Sequence, residues 1–100
     1  MLMNAPVGIF TSTPAGRFLS VNPALSGMLG YDSPVELLDS VKDIATQVYA
    51  DPREREELLH QLETRSQVKD FECRLVQKDG TKIWASKNVW VVGDEKVRVR

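Results

Sequence analysis

Gly16-Arg17-Phe18-Leu19-Ser20-Val21-Asn22-Pro23-Ala24, closing at Gly30-Tyr31, is the stretch from which the rest of the chain can be read. Pro14-Ala15-Gly16 just before it is a turn signal, because proline presets its own φ and glycine tolerates positive φ. Val7 to Thr13 is rich in β-branched and aromatic residues and reads as a strand. Arg17 to Val21 returns as a second strand, so the pair is a hairpin. Asn22 then offers a side-chain oxygen to free backbone N–H groups, and Pro23 suits the first helical position. Leu25, Met28 and Leu29 follow at helical spacing, and Gly30 stands where a helix ends in the left-handed conformation.

Working outward, the same start signal recurs twice. Ser33-Pro34-Val35-Glu36 and Asp51-Pro52-Arg53-Glu54 each read as cap, proline and a glutamate placed to return to the cap's own N–H, as in a capping box. Between them Leu37, Val41, Ile44 and Val48 make a helical seam. It is either two short helices broken at Asp39-Ser40 or one longer helix. The third start opens a helix from Pro52 to about Arg65 with Leu58, Leu59 and Leu62 on its apolar side. After Ser66 the period changes from helical to alternating. Phe71, Cys73 and Leu75 alternate with Glu72 and Arg74, and Lys78-Asp79-Gly80-Thr81-Lys82-Ile83-Trp84 carries a hairpin turn at Asp79-Gly80. Thr81 to Val92 is a long strand with Ile83, Ala85, Val89 and Val91 on one face and Trp84, Ser86, Asn88, Trp90 and Val92 on the other. Gly93-Asp94 turns again, and Val97 and Val99 begin a fifth strand. Hairpins at both ends imply antiparallel pairing.

Composition narrows the function classes. One hundred residues make one domain with a modest core, and 42% apolar with 27% charged residues is a globular balance, not that of a disordered chain. A net charge of −1 leaves no basic excess to neutralise phosphates, so nucleic-acid binding is not expected. Arg53 and Arg55 are interleaved with Glu54, Glu56 and Glu57 and read as a solvated helix face with local ion pairs. A single cysteine excludes an internal disulfide and a thiolate metal cluster. Apolar runs are too short for a transmembrane helix, and Met1-Leu2-Met3 is too short for a signal peptide.

The order of two strands, several short helices and three strands, carried by Val7-Gly8-Ile9-Phe10, Gly16-Arg17-Phe18, Asn22-Pro23-Ala24, Gly30-Tyr31, Ser33-Pro34-Val35-Glu36-Leu37, Phe71-Glu72-Cys73-Arg74 and Lys78 to Trp84, resembles the PAS domain family. The resemblance implies an α+β fold: a five-stranded antiparallel sheet with several short helices packed on one face, residues 1–100 forming a single sensory domain. It also implies a non-catalytic module cut from a longer signalling protein, a bacterial sensor histidine kinase of a two-component system or a cyclic-dinucleotide enzyme such as a diguanylate cyclase. The expected partners are a second copy in a homodimer, an effector domain in the same chain and a small-molecule ligand, with no nucleic acid and no membrane contact. The expected compartment is the cytoplasm, with a parent protein that could be membrane-anchored. The exit segment after the fifth strand is absent from the sequence, and so is the helix that often precedes the first, unless Met1-Leu2-Met3 is its remnant. A purely structural dimerisation module without a ligand is the competing reading, and a haem or flavin sensor is the next.

By resemblance the groove between sheet and helices is the ligand site, and its candidate lining is Phe10, Phe18, Met28, Ile44, Leu62, Phe71, Cys73 and Trp84. The same side chains are what a small core contains. His60, the only histidine, sits on the helix where haem-binding members place an iron ligand. At about 100° per residue it points away from Leu58, Leu59 and Leu62, so a solvent-facing ring is expected and haem is disfavoured. A flavin adduct is disfavoured because the family's photosensors carry their cysteine in an Asn-Cys-Arg-like phrase of the helical region, and Val41 to Gln47 has none. Cys73 is expected to be a neutral core thiol. No phosphate loop, zinc motif or triad geometry supports catalysis, so no cofactor and no metal are expected. Trp84 and Trp90 share a strand face opposite Ile83 and Val89. Either a partner or a further helix of the same chain is expected to cover it.

Overall fold

The Pro14-Ala15-Gly16 turn closes through a 3.0 Å hydrogen bond from Gly16 N–H to the Thr13 carbonyl, with Gly16 at a φ of +97°. That turn joins β1 (Phe10–Ser12) to β2 (Phe18–Val21), and the chain continues through α1 (Pro23–Met28), α2 (Pro34–Ser40), α3 (Ile44–Gln47), α4 (Pro52–Thr64), β3 (Gln67–Val76), β4 (Lys82–Val92) and β5 (Lys96–Val99). The computed structural model describes residues 7–92 and 96–99, with the backbone alone at 92 and 96–99. The Gly93-Asp94 turn therefore lies outside the described residues. Val7 to Ile9, expected in the first strand, precede it.

Two antiparallel hairpins, β1–β2 and β3–β4, are joined by β5, whose backbone pairs with β1 on one side and β4 on the other. The strand order is β2-β1-β5-β4-β3. The register of β3 against β4 slips between Val68 and Phe71, where Asp70 takes a φ of 55° and its N–H donates to Asn88 Oδ1 at 2.9 Å. This one-residue bulge exchanges the faces of β3. Val68 points inward before it, and Cys73 and Leu75 point inward after it.

Local chemistry places the helices. Asn22 Oδ1 accepts from the N–H groups of Leu25 and Ile9, both at 2.9 Å, while Nδ2 donates to the Val7 carbonyl at 2.8 Å. One side chain thus caps α1 and ties it to the approach to β1. At the other end Gly30 N–H donates to the Gly27 carbonyl and Tyr31 N–H to the Ser26 carbonyl, the bond pair of a Schellman motif. That motif needs a residue at positive φ, and Gly30 has +85°.

Neither expected capping box closes. Ser33 Oγ accepts from Glu36 N–H at 3.1 Å, but Glu36 Oε1 reaches one residue further back, to Asp32 N–H at 2.7 Å, while Oε2 takes the Lys78 ammonium. Those bonds hold the Glu36 carboxyl below its usual range. Asp51 caps α4 through Arg53 N–H, and Glu54 Oε1 accepts from the β3 backbone at Arg74 instead. Both glutamates are drawn off by donors from elsewhere in the fold.

The helical seam breaks at Val41–Asp43, just past the expected Asp39-Ser40, and leaves Leu37, Val41, Ile44 and Val48 all buried. With Leu29, Leu58, Leu62, Cys73, Leu75 and Val89 they form the core between helices and sheet. After α3 the chain runs along β3: Val76 N–H donates to the Val48 carbonyl at 2.7 Å and Ala50 N–H to the Arg74 carbonyl at 2.9 Å. Tyr49 bridges Leu75 between those two bonds and turns its ring into the core. No described helix is long and apolar enough to cross a membrane.

Candidate functional site

The end of α1 and the turn between β3 and β4 meet in space. Lys78 N–H donates to the Leu29 carbonyl at 2.8 Å, and Gln77 Nε2 donates to the Met28 carbonyl at 2.9 Å. The β3–β4 hairpin therefore satisfies carbonyls that the end of α1 leaves open. Lys78 also lies over the Tyr31 ring at 5.9 Å. The contact holds α1 against the sheet, and α1 is one wall of a cavity.

That cavity has a volume of about 240 Å³ and lies between the helices and the inner face of the sheet. Leu25 and Met28 of α1 with Leu29 at its C-terminal cap form one side, Phe10 and Phe18 of the first hairpin another, and Ile44 with Val48 a third. Phe10 and Phe18 meet edge to face, their centroids 5.1 Å apart. The sheet contributes Leu75, Ala85 and Lys87. Val7 and Met28, both exposed, stand at the rim.

Of the candidate lining residues, Phe10, Phe18, Met28 and Ile44 come together around this cavity. Leu62 and Cys73 are buried in the core beyond it, and Phe71 packs half-buried against that core. Trp84 is a correction. It is 74% exposed, because strand alternation sends it to the outer face when Ile83 and Ala85 turn inward. There it pairs across the strands with Arg74, whose guanidinium lies 5.6 Å from the ring centroid. Val91, expected to face inward with Ile83 and Val89, is partly exposed near the end of β4.

His60 faces solvent on α4, with Nδ1 3.5 Å from Glu63 Oε2. Cys73 is fully enclosed, and burial pushes its thiol above the ordinary value. Among the described residues no group of histidine, cysteine and carboxylate side chains is arranged to hold a metal. Arg53 is exposed and pairs with Asp51, as a solvated face requires. Arg55 departs from that reading. It is buried, and its guanidinium donates to the Thr13 carbonyl at 3.2 Å and the Pro14 carbonyl at 3.5 Å, clamping α4 to the β1–β2 turn.

Lys87 and Tyr49 escaped sequence reasoning. Lys87 is 6% exposed on the inner face of β4, and its Nζ donates to Tyr49 Oη. Burial lowers its proton affinity to about 8, with the nearby Cys73 working the other way. Desolvation also pushes the Tyr49 phenol up. The signal for Lys87 was strand parity: position 87 falls between Ala85 and Val89 on the apolar face. Nothing local marks Tyr49.

The profile of a family described as PAS domain matches residues 6–100. A search of curated proteins finds no match. Among solved structures, a domain of the sensory box sensor histidine kinase/response regulator from Geobacter sulfurreducens superposes with a TM-score of 0.68 at 21% identity, covering 92% of this chain and 78% of that one.

Proposed function

The chain belongs to the PAS domain family, and from that premise we propose that it is the sensory module of a signalling protein, reading a small molecule in the cavity between helices and sheet. The single observation that carries this reading is the cavity itself. A domain whose core existed only to hold a dimer together would fill that space with side chains, since interiors are packed to the density of organic crystals. About 240 Å³ is far more than the roughly 10–15 Å³ that one water needs.

The working unit of this reading is the five-stranded antiparallel sheet, with β5 completing it between β1 and β4, and the helices on one face. An occupant favours one packing of α1 and the β3–β4 hairpin over another, and the sheet passes that bias on. The module itself performs no catalysis. By analogy with the Geobacter sulfurreducens domain, its output goes to a histidine kinase in the same chain; a cyclic-dinucleotide enzyme is the other effector class. Haem through His60 and a flavin adduct through Cys73 are not part of this reading, because His60 lies on the solvent side of α4 and Cys73 is shut inside the core.

A second reading, a dimerisation module without ligand, is favoured by one observation: Trp84 stands exposed on the outer sheet face beside Arg74. Native mass spectrometry of freshly purified protein separates the two. The sensory reading expects a bound species of small mass on the monomer or dimer. A dimer that stays free of adducts, and takes up no compound from a library of small amphiphiles, overturns the sensory reading in favour of the structural one.

A further inference from the structure

The cavity is mostly apolar, with Ser86 and Lys87 as the polar residues of its lining. Among the described residues Lys87 is the only charged side chain in its lining. The same lysine also borders an adjoining void of about 20 Å³, the size of one water, shared with Tyr49 and Arg55. An ammonium has three N–H donors. Nζ of Lys87 gives one to Tyr49 Oη and otherwise faces aromatic rings, 4.1 Å from the Tyr49 centroid and 5.6 Å from that of Phe10. Among the described residues no carboxylate pairs with it. Arg55, the other buried cation nearby, adds to the positive field, which Cys73 and Glu54 partly offset, and has its guanidinium on backbone carbonyls.

A buried charge without a counter-ion is unfavourable, and a methionine or leucine would fill this position without that cost. Lowered to about 8, the proton affinity of the group still leaves it mostly cationic at neutral pH. Among the described residues the fold thus holds a buried cation whose one oxygen acceptor is Tyr49 Oη, in the lining of a largely apolar cavity.

We propose that the cavity takes a small amphiphilic monocarboxylate, its apolar body between Phe18, Leu25 and Met28 and its carboxylate on Lys87 Nζ. This rests on the sensory reading of the cavity and adds the chemical class of its occupant. The volume lies below the roughly 300–1,000 Å³ of drug-sized clefts, so the ligand is short. With one charged side chain in the lining, a dicarboxylate would leave its second charge unpaired, and one negative charge is the match.

The test is a titration of the whole chain at pH 7, followed by NMR, with octanoate and with 1-octanol, which share an apolar body and differ in charge. Wild type is expected to bind octanoate at least tenfold more tightly than 1-octanol. Lys87→Met is expected to lose that preference while keeping 1-octanol affinity within about threefold, and Lys87→Arg to retain it. If Lys87→Met does not fold, the wild-type ratio and Lys87→Arg decide. Equal binding of the two probes by wild type, or a preference that survives Lys87→Met, overturns the ligand class and leaves the sensory reading standing. Binding of neither probe counts against both.

Discussion

The two faces of β4 invert the usual order. On the inner face a lysine is buried at position 87, and on the outer face, three residues earlier, a tryptophan is 74% exposed. The inner cation lies against the Tyr49 ring and the outer ring against the Arg74 cation, so each face carries a cation–aromatic contact with burial reversed. The difference shows that polarity alone does not assign a face in this strand. Parity does, and the neighbours then make the assigned side chain tolerable.

The sharpest break in the comparison is a charge placed on the inner face where nothing receives it. Val89 is fully buried two residues from Lys87. Val89→Lys is expected to destabilise the fold by on the order of 4 kcal/mol, since a second buried ammonium there has no arranged acceptor and shares its face with the Lys87 cation. Urea denaturation checks it. A midpoint near wild type would mean that the inner face admits water and that Lys87 is less isolated than its burial implies.

Lys87 itself gives an effect of intermediate size, readable through pH. Below about pH 8 the folded and unfolded chains both carry its proton, and the fold bears the full desolvation of the ammonium. Between about 8 and the ordinary lysine value of 10.5 the unfolded chain holds more protons, so this group's contribution to stability improves as pH rises. Tyr49 and Cys73, whose pKa values are both raised, act in the opposite direction at the alkaline end, and Arg55 and Glu54 also act on the group. All four are present in Lys87→Met, so the difference between the two chains reports the lysine together with its direct coupling to Cys73 and Tyr49. The stability of Lys87→Met relative to wild type is expected to be greatest at pH 7 and to fall by on the order of 1–2 kcal/mol by pH 9.5. Thermal melts across that range test it, and a pH-independent difference would show that the ammonium is effectively solvated.

The smallest effect belongs to the outer face. Trp84→Ser removes a cation–π contact at an exposed site and is expected to change monomer stability by about 0.5 kcal/mol or less. Chemical denaturation at micromolar concentration measures it. A loss of several kcal/mol that grows with protein concentration would mean that this face is covered by a second chain, as the dimer reading requires.

What could be read from the sequence was what nearby atoms decide. The Asn22 cap, the left-handed Gly30 and the Asp79-Gly80 turn each satisfy backbone groups within a few residues, so local chemistry sufficed. The buried seam from Leu37 to Val48 was equally legible, because helical periodicity survives a break between helices. Four residues of the cavity lining followed, Phe10, Phe18, Met28 and Ile44. The polar end of the cavity did not, since Lys87 meets Tyr49 across 38 residues and Arg55 meets Thr13 across 42. The two glutamates were misassigned for the same reason: Lys78 and the Arg74 backbone reach them from the far hairpin.

The bulge at Asp70 and the short run from Val48 to Ala50 fall along the same strand, and together they bear on polymerisation. β3 ends the strand order, and an open margin of ten residues would template the addition of a foreign strand. Here one part of that margin is already occupied by Val48 and Ala50, and another is bent out of line at Asp70. What remains is shorter and uneven, which makes that side a poorer template for a foreign strand.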